Sequence, residues 1–161
     1  MLFRSQLTAL STTAIGNLTD TQVGTLTATQ VGKLSSAQIG ALSSTEIQAF
    51  TTTQANALTS TQLGSLTTTA VGNLSTTQVT NLTATQSQGL TTTQLNALAS
   101  DVLDALDLTK LSTAQLTGLT TTSVTNLTET QVGTLTATQV GKLSSAQIGG
   151  ASCRERVWTV V

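Results

Sequence analysis

The chain has 161 residues, of which only 8% are charged, and its net charge of −1 provides no basic surface for nucleic acid or an anionic membrane. Histidine, proline and tyrosine are absent, which removes the commonest general base and metal ligand. No apolar run approaches the roughly 18 residues that a membrane span needs. We therefore expect no enzyme activity, no cofactor or metal site, no nucleic-acid partner and no membrane insertion.

An eight-residue pattern, here called the octad, fills most of the chain. Its positions one to eight read Leu, Ser/Thr, x, Thr/Ala, Gln, Val/Ile/Leu, Gly-like and x, as in residues 18–25, 26–33 and 34–41. Apolar residues therefore alternate at spacings of five and three. A long helix would rotate this stripe by roughly 80° per octad, since it has about 3.6 residues per turn. In a straight strand, positions one and six would point to opposite faces.

Helix-capping chemistry accounts for the spacing. In Leu26-Thr27-Ala28-Thr29-Gln30-Val31, the Thr27 hydroxyl can cap the N–H of Gln30, whose side chain can reach back to the Thr27 N–H. Leu26 and Val31 then occupy the two positions of a hydrophobic staple. Gly32 follows as a predicted helix stop, because glycine tolerates positive φ. Each octad is thus predicted to form one short capped helical turn.

A single octad is too small to be stable. Ordering eight residues costs about 8–16 kcal/mol, whereas burying one Leu and one Val returns roughly 3–6 kcal/mol and a cap adds about 1 kcal/mol. The octads must therefore stack. We predict an all-α repeat solenoid, a superhelix of short capped turns with one turn per octad. Neighbouring octads should share a Leu/Val core and backbone hydrogen bonds, with Ser and Thr hydroxyls outside.

A Thr-rich β-solenoid is the main alternative, because Thr favours strands and pairs such as Thr27/Thr29 would share one face. Strand alternation would, however, point Gln30 inward beside Leu26 and Val31 outward. Disorder is a third possibility for a Ser/Thr/Gln-rich chain of low complexity.

The pattern divides the chain into five segments. Residues 1–6 form a non-repeat start without a signal-peptide core, and octads fill 7–98 and 111–149. Between them, the register slips over 99–110, with Leu103 ending one octad and opening the next. We expect a slightly longer helix and a kink there, with Asp104 as an N-cap. The non-repeat tail is 150–161.

Charged side chains are assigned to the solvated surface. Asp101, Asp104 and Asp107 lack the glycine and terminal glutamate of an EF-hand loop, so helix-start acids are favoured over a Ca²⁺ site. The lysines, namely Lys33, Lys110 and Lys142, are interpreted as solubilising charges.

A longer repeat lies above the octad. Residues 12–40 recur at 121–149, 109 positions later, and 130–149 are identical to 21–40. This near-identity indicates duplication of a large block. The tail departs from it, and Ala151-Ser152-Cys153-Arg154-Glu155-Arg156-Val157 resembles a translated sequencing adapter. We predict an assembly artefact, after which the natural protein would continue with octads. A genuine basic tail or interface segment is the alternative, and Cys153 carries no redox inference.

Octads such as residues 34–41 and 58–65 resemble the Leu-Ser/Thr-x-x-Gln-Ile/Val-x-Ala repeats of large bacterial haemagglutinin- or adhesin-like exoproteins. The resemblance covers nearly all of residues 7–149. It implies a secreted or cell-surface stalk, whose surface or glycan ligand binds through domains outside this chain. No binding residue can be carried over, so binding residues are unknown. The alternative function is a Thr-rich module that itself binds ice or glycan surfaces.

Overall fold

The computed structural model describes residues 4–154 and is helical throughout that range, with eighteen α-helices, one 3₁₀ turn and no strand. The helices are α1 (Arg4–Thr8), α2 (Thr12–Gly16), α3 (Asp20–Gly24), α4 (Ala28–Val31), α5 (Ser36–Gly40), α6 (Ser44–Gln48), α7 (Thr52–Asn56), α8 (Ser60–Ser65), α9 (Thr68–Gly72), α10 (Thr76–Thr80), α11 (Ala84–Gly89), α12 (Thr92–Asn96), α13 (Ser100–Asp104), α14 (Thr113–Thr117), α15 (Thr121–Thr125), α16 (Glu129–Gly133), α17 (Ala137–Val140) and α18 (Ser145–Arg154); the 3₁₀ turn is Leu108–Lys110. The predicted all-α repeat solenoid is confirmed, and the β-solenoid is excluded for the described residues.

Most helices begin as the capping box predicts, whereas α2, α9 and α15 have the Ser or Thr cap without the reciprocal bond and α13 has no side-chain cap. The Thr27 hydroxyl accepts from the Gln30 N–H at 3.2 Å, and the Gln30 side chain accepts from the Thr27 N–H at 2.7 Å. Because both bonds form within four residues, an octad with a capping box specifies the start of its own helix. Consecutive octads are also joined by backbone hydrogen bonds, as expected: the Leu34 N–H donates to the Val31 carbonyl at 3.2 Å.

The short helices wind into a superhelix with three octads per turn. Helix α3 contacts α6, α4 contacts α7 and α5 contacts α8, so each of these helices packs on the third one after it. One turn of three octads is called a coil below. The sequence predicts stacking but leaves the number of octads per coil open.

Positions one and six of the octad form the core. Position six is fully buried at Ile15, Val31 and Leu63, and position one is buried from Leu34 to Leu90. These side chains belong to one continuous apolar cluster that extends to Leu127. Positions two and four are exposed in every octad from 18–25 to 82–89, which places the Ser and Thr hydroxyls outside as predicted.

Helical structure extends into both segments that the pattern leaves out of the array. Helix α1 lies largely within the predicted non-repeat start, and Leu7 is fully buried in the place of a position-six residue. Helix α18 runs on through the first residues of the predicted tail to Arg154. The rest of that tail, 155–161, lies outside the described residues.

Candidate functional site

The glutamine at position five joins each coil to the one before it. In Gln54, Oε1 accepts from the Thr51 N–H at 2.7 Å and so completes the capping box. Its Nε2 donates to the preceding coil, to the carbonyls of Val23 at 3.2 Å, Gly24 at 3.3 Å and Leu26 at 2.6 Å. One side chain therefore caps its own helix and also bonds two coils together.

The same contact recurs along the molecule and is called the glutamine column. A unit is here one octad or the shortened repeat described below. Each glutamine donates to the position-six carbonyl of the fourth unit before its own and to the position-one carbonyl of the third unit before its own. The glutamines that make it are Gln38, Gln54, Gln62, Gln78, Gln86, Gln94, Gln115, Gln131 and Gln147. Each is at least nine-tenths buried. A buried carbonyl without a donor costs about 1–3 kcal/mol, so the column stabilises every coil boundary it crosses.

The irregular segment is a shortened unit. Helix α13 keeps the ordinary length of five residues, so the expected longer helix is wrong. Leu106 is buried and takes position one, and Asp107 caps the 3₁₀ turn through the Thr109 N–H at 3.0 Å. Asp104 is the last residue of α13, so the prediction that it caps a helix is also wrong. The unit therefore spans 106–110, before Leu111 opens the next octad.

In the superhelix, this short unit occupies the place of a full octad. Gln115 bonds to carbonyls 28 and 25 residues earlier, whereas Gln94 and Gln147 reach back 31 and 28 residues. The reach shortens by three residues, which is the difference between an octad and this five-residue unit. The coil thus continues through the slip with its contacts in register.

Lys110 replaces the missing glutamine of the short unit. Its Nζ donates to the Leu82 carbonyl at 2.8 Å, the position-one carbonyl three units earlier. The interpretation of Lys110 as a solubilising charge is therefore wrong. Lys110 also lies 3.7 Å from an Asp107 carboxylate oxygen. The hydrogen bond from the Thr109 hydroxyl lowers the pKa of Asp107, and the Thr109 N–H and Lys110 act in the same direction. In residues 4–154, no three Asp, Glu, His or Cys side chains lie close enough together to bind a metal ion.

Two residues that depart from the octad pattern have buried polar atoms without a hydrogen-bond partner. Glu46 takes position five and is 2% exposed; one of its carboxylate oxygens caps Ser43, while the other has no hydrogen-bond partner. A carboxylate has no N–H for the carbonyls of the preceding coil. Ser87 takes position six with no exposure, and its hydroxyl is also unpaired.

Glycine at position seven has no positive φ, and at some positions it makes room for the next coil. No described glycine has a positive φ, so the predicted left-handed helix stop is wrong. A Cβ on Gly32 would lie 2.9 Å from the Ala57 carbonyl oxygen, and one on Gly64 would lie 2.7 Å from the Gly89 carbonyl oxygen. At Gly32 and Gly64, glycine therefore makes room for the backbone of the next coil.

Asn96 provides another link between coils. Its Nδ2 donates to the Gly118 carbonyl at 2.9 Å, and its Oδ1 accepts from the Thr120 N–H at 2.8 Å and the Ser123 hydroxyl at 2.9 Å. Ser123 stands at position five, where its short side chain cannot span the distance that glutamine spans. Asn96 supplies the missing connection from the other side. Position seven alone gives no sign of this role.

The outer surface carries regular columns of hydroxyls. On the face built by α3, α6, α9 and α12, every residue at positions two and four is an exposed Ser or Thr. These residues, called the hydroxyl column, are Thr19, Thr21, Ser43, Thr45, Thr67, Thr69, Thr91 and Thr93. The position-two hydroxyls cap helices, as Thr91 does for the Gln94 N–H at 3.1 Å. Thr21, Thr69 and Thr93 use their hydroxyls for no hydrogen bond within the described residues.

Comparisons with known proteins identify a repeat region. A family model described as the ALTTAQ repeat matches residues 31–68, from the end of α4 to the start of α9. No curated protein and no solved structure matches the chain. Within the described residues, no helix is long and apolar enough to cross a membrane. The matched segment contains four complete octads and the capping boxes of Ser35, Ser43, Thr51 and Thr59.

Proposed function

We propose that this chain is a non-enzymatic structural segment, a stalk or spacer, of a larger bacterial secreted or cell-surface adhesin-like protein. The observation that supports it best is the continuity of the coil. Octads, a shortened unit and substituted octads all keep the same stacking, so each added octad adds a fixed length of superhelix. Such a segment sets a distance, and the surface or glycan ligand is bound by domains outside it.

The surface chemistry agrees with a spacer. The helix-capping hydroxyls are used internally, and charged residues are sparse over the whole chain. The ALTTAQ match adds a repeat region to this argument, and the resemblance to adhesin-like octads adds the extracellular setting.

A replacement experiment tests the proposal in the parent exoprotein. Deleting the octad block should abolish adhesion by the cell-surface protein, and an unrelated helical solenoid of equal length should restore it. Restoration by length alone is the result expected of a spacer. If only the octad sequence restores adhesion, the block binds the target itself.

The second candidate function is a binding module, and the hydroxyl column favours it. Exposed Thr hydroxyls repeat along one face at the spacing of the coils, which suits a periodic ligand such as a glycan polymer or ice. Replacing Thr21, Thr69 and Thr93 with Val retains shape but removes the hydroxyls. Glycan binding or thermal hysteresis by the purified chain that the triple variant loses would establish this function.

A further inference from the structure

A buried carboxylate interrupts the glutamine column in α6. Glu46 stands at position five and is 2% exposed. Its Oε2 accepts from the Ser43 N–H, which leaves Oε1 in the place that Nε2 takes in a glutamine of the column. Oε1 is buried and has no hydrogen-bond partner. No lysine or arginine of the described residues forms an ion pair with Glu46. The negative charge of this carboxylate is therefore without a counter-charge from the described chain.

The register of the column identifies the groups that Oε1 faces. Gln54, the next residue at position five, donates from Nε2 to carbonyls 31, 30 and 28 residues earlier. The same offsets from Glu46 lead to the carbonyls of Ile15, Gly16 and Leu18. Helix α6 packs on α3 as α7 packs on α4, so the two coil boundaries are built alike. No side chain of the described residues donates to these three carbonyls.

Four oxygens without a donor between them are suited to a cation. The three carbonyl oxygens carry partial negative charge, and Oε1 shares the full charge of the carboxylate. Buried charges in proteins are paired or coordinate metals. Carboxylates and backbone carbonyls are the oxygen ligands that hard cations take, and carbonyl oxygens replace the hydration shell of K⁺ in channels. The four oxygens therefore form a candidate cation site.

The charge of this group favours a monovalent ion. One carboxylate and three neutral carbonyls give zero net charge with Na⁺ or K⁺, whereas Ca²⁺ would leave a buried positive charge. Ca²⁺ also takes about 6–8 oxygen ligands, and this group offers fewer. Gly16 is exposed, so its carbonyl lies beside a route from solvent.

We propose that Glu46 and the carbonyls of Ile15, Gly16 and Leu18 bind an alkali cation, Na⁺ or K⁺, between two successive coils. The ion takes the part that the glutamine amide has elsewhere, because it joins the capping side chain of one coil to the carbonyls of the preceding coil. The sequence gives no sign of this site, since it contains one acid and otherwise backbone oxygens. This inference does not depend on the proposed stalk function.

Urea unfolding of the full chain in different salts tests the proposal. Sodium, potassium and choline chlorides are compared at one ionic strength, so that general salt effects cancel. About 100 mM of an alkali cation should lower the wild-type unfolding equilibrium constant at least about threefold relative to choline, as a dissociation constant of about 50 mM or tighter requires. A wild-type chain that is equally stable in all three salts would overturn the proposal.

Glu46→Gln and Glu129→Gln separate this site from other carboxylates. Glu46→Gln should lose the response to alkali cations, and in choline chloride it should be more stable than the wild type, because its amide donates to the carbonyls. Glu129→Gln is the matched control, since it removes an exposed carboxylate and should keep the full response. An equal response in Glu46→Gln would overturn the proposal. Stabilisation of the wild type by acid or Ca²⁺, with no response to either alkali cation, would assign the place to a proton or a divalent ion instead.

Gln54→Glu tests whether the site can be transferred. It places a carboxylate oxygen where Nε2 of Gln54 now lies 3.2, 3.3 and 2.6 Å from three carbonyl oxygens. The variant should be less stable than the wild type in choline chloride and should recover more stability than the wild type in the alkali salt that acts on Glu46. A Gln54→Glu chain that responds to alkali cations no more than the wild type does would contradict the assigned ligands.

Discussion

Residues 21–40 and 130–149 have one sequence but different patterns of burial. In the earlier copy, Ile39 is fully buried while Gln22 is exposed; in the later copy, Ile148 is half-buried while Gln131 is 8% exposed. Identical residues can differ in this way only through their neighbours. The glutamine side of a coil faces the preceding coil, and the Val/Ile side faces the following one. The solenoid therefore has a direction, because the two sides of every coil differ chemically.

The largest expected change in stability comes from shortening the position-six side chain, and it should differ between the two copies. Ile39→Ala should cost about 2–5 kcal/mol of unfolding free energy, because it leaves a cavity between two coils. Ile148→Ala should cost about 1 kcal/mol, since its side chain is already partly in water. Urea unfolding at low protein concentration measures both. Equal losses would show that the later copy is covered as fully as the earlier one.

The glutamines should show the reverse order. Gln131→Ala removes a cap and the bonds to the Leu103 and Leu106 carbonyls, at 2.8 and 3.1 Å, and should cost about 2–4 kcal/mol. Gln22→Ala removes only a cap and should cost about 1 kcal/mol. Thermal and urea unfolding can be compared for the pair. A larger loss in Gln22→Ala would contradict the assigned direction of the glutamine column.

Glycine-to-alanine substitutions separate covered from uncovered helix ends. Gly32→Ala places a Cβ 2.9 Å from the Ala57 carbonyl oxygen and should destabilise by about 1–3 kcal/mol. Gly133→Ala meets no atom within 4 Å and should stabilise its helix by about 0.5–1 kcal/mol. The two midpoints of urea unfolding should therefore move in opposite directions. A loss in both variants would mean that backbone conformation, rather than close packing, selects glycine here.

The smallest expected change in stability comes from restoring a missing glutamine to the glutamine column. Glu46→Gln keeps the cap on Ser43 and supplies the missing donor to the preceding coil, so it should stabilise by about 1–2 kcal/mol. Glu129→Gln is the control, because Glu129 is exposed and should change stability by less than about 0.5 kcal/mol. Chemical denaturation at neutral pH measures both. No gain in Glu46→Gln would show that the orphaned carboxylate oxygen costs nothing.

The sequence is sufficient to predict the local structure because its determinants lie within one octad. The cap and staple of Thr27, Gln30 and Val31 all fall inside eight residues, so the start of each helix and the core positions follow from the pattern. The shortened unit is harder to predict, because Leu103, Leu106 and Leu108 are all buried and more than one register fits their spacing.

The contacts between coils could not be derived from one octad, because they join residues about 28 residues apart. A signal for them does exist. Glutamate completes a capping box as well as glutamine does, yet the box of Ser43 is the one in the described residues that uses it. The preference for glutamine indicates a demand for an N–H donor, which capping alone does not create. The number of octads per coil depends on the angles at which helices pack, and these angles cannot be predicted from residue types alone.

The central claim, three octads per coil, is tested most directly by distances between spin labels on the outer surface. Thr45, Thr61 and Thr69 are exposed at position four of α6, α8 and α9 and can be replaced in pairs with labelled cysteine, after Cys153→Ser. Since α6 packs on α9, the Thr45–Thr69 pair should give a shorter distance than Thr45–Thr61, although it is farther apart in sequence. A Thr45–Thr69 distance longer than the Thr45–Thr61 distance would contradict the three-octad coil.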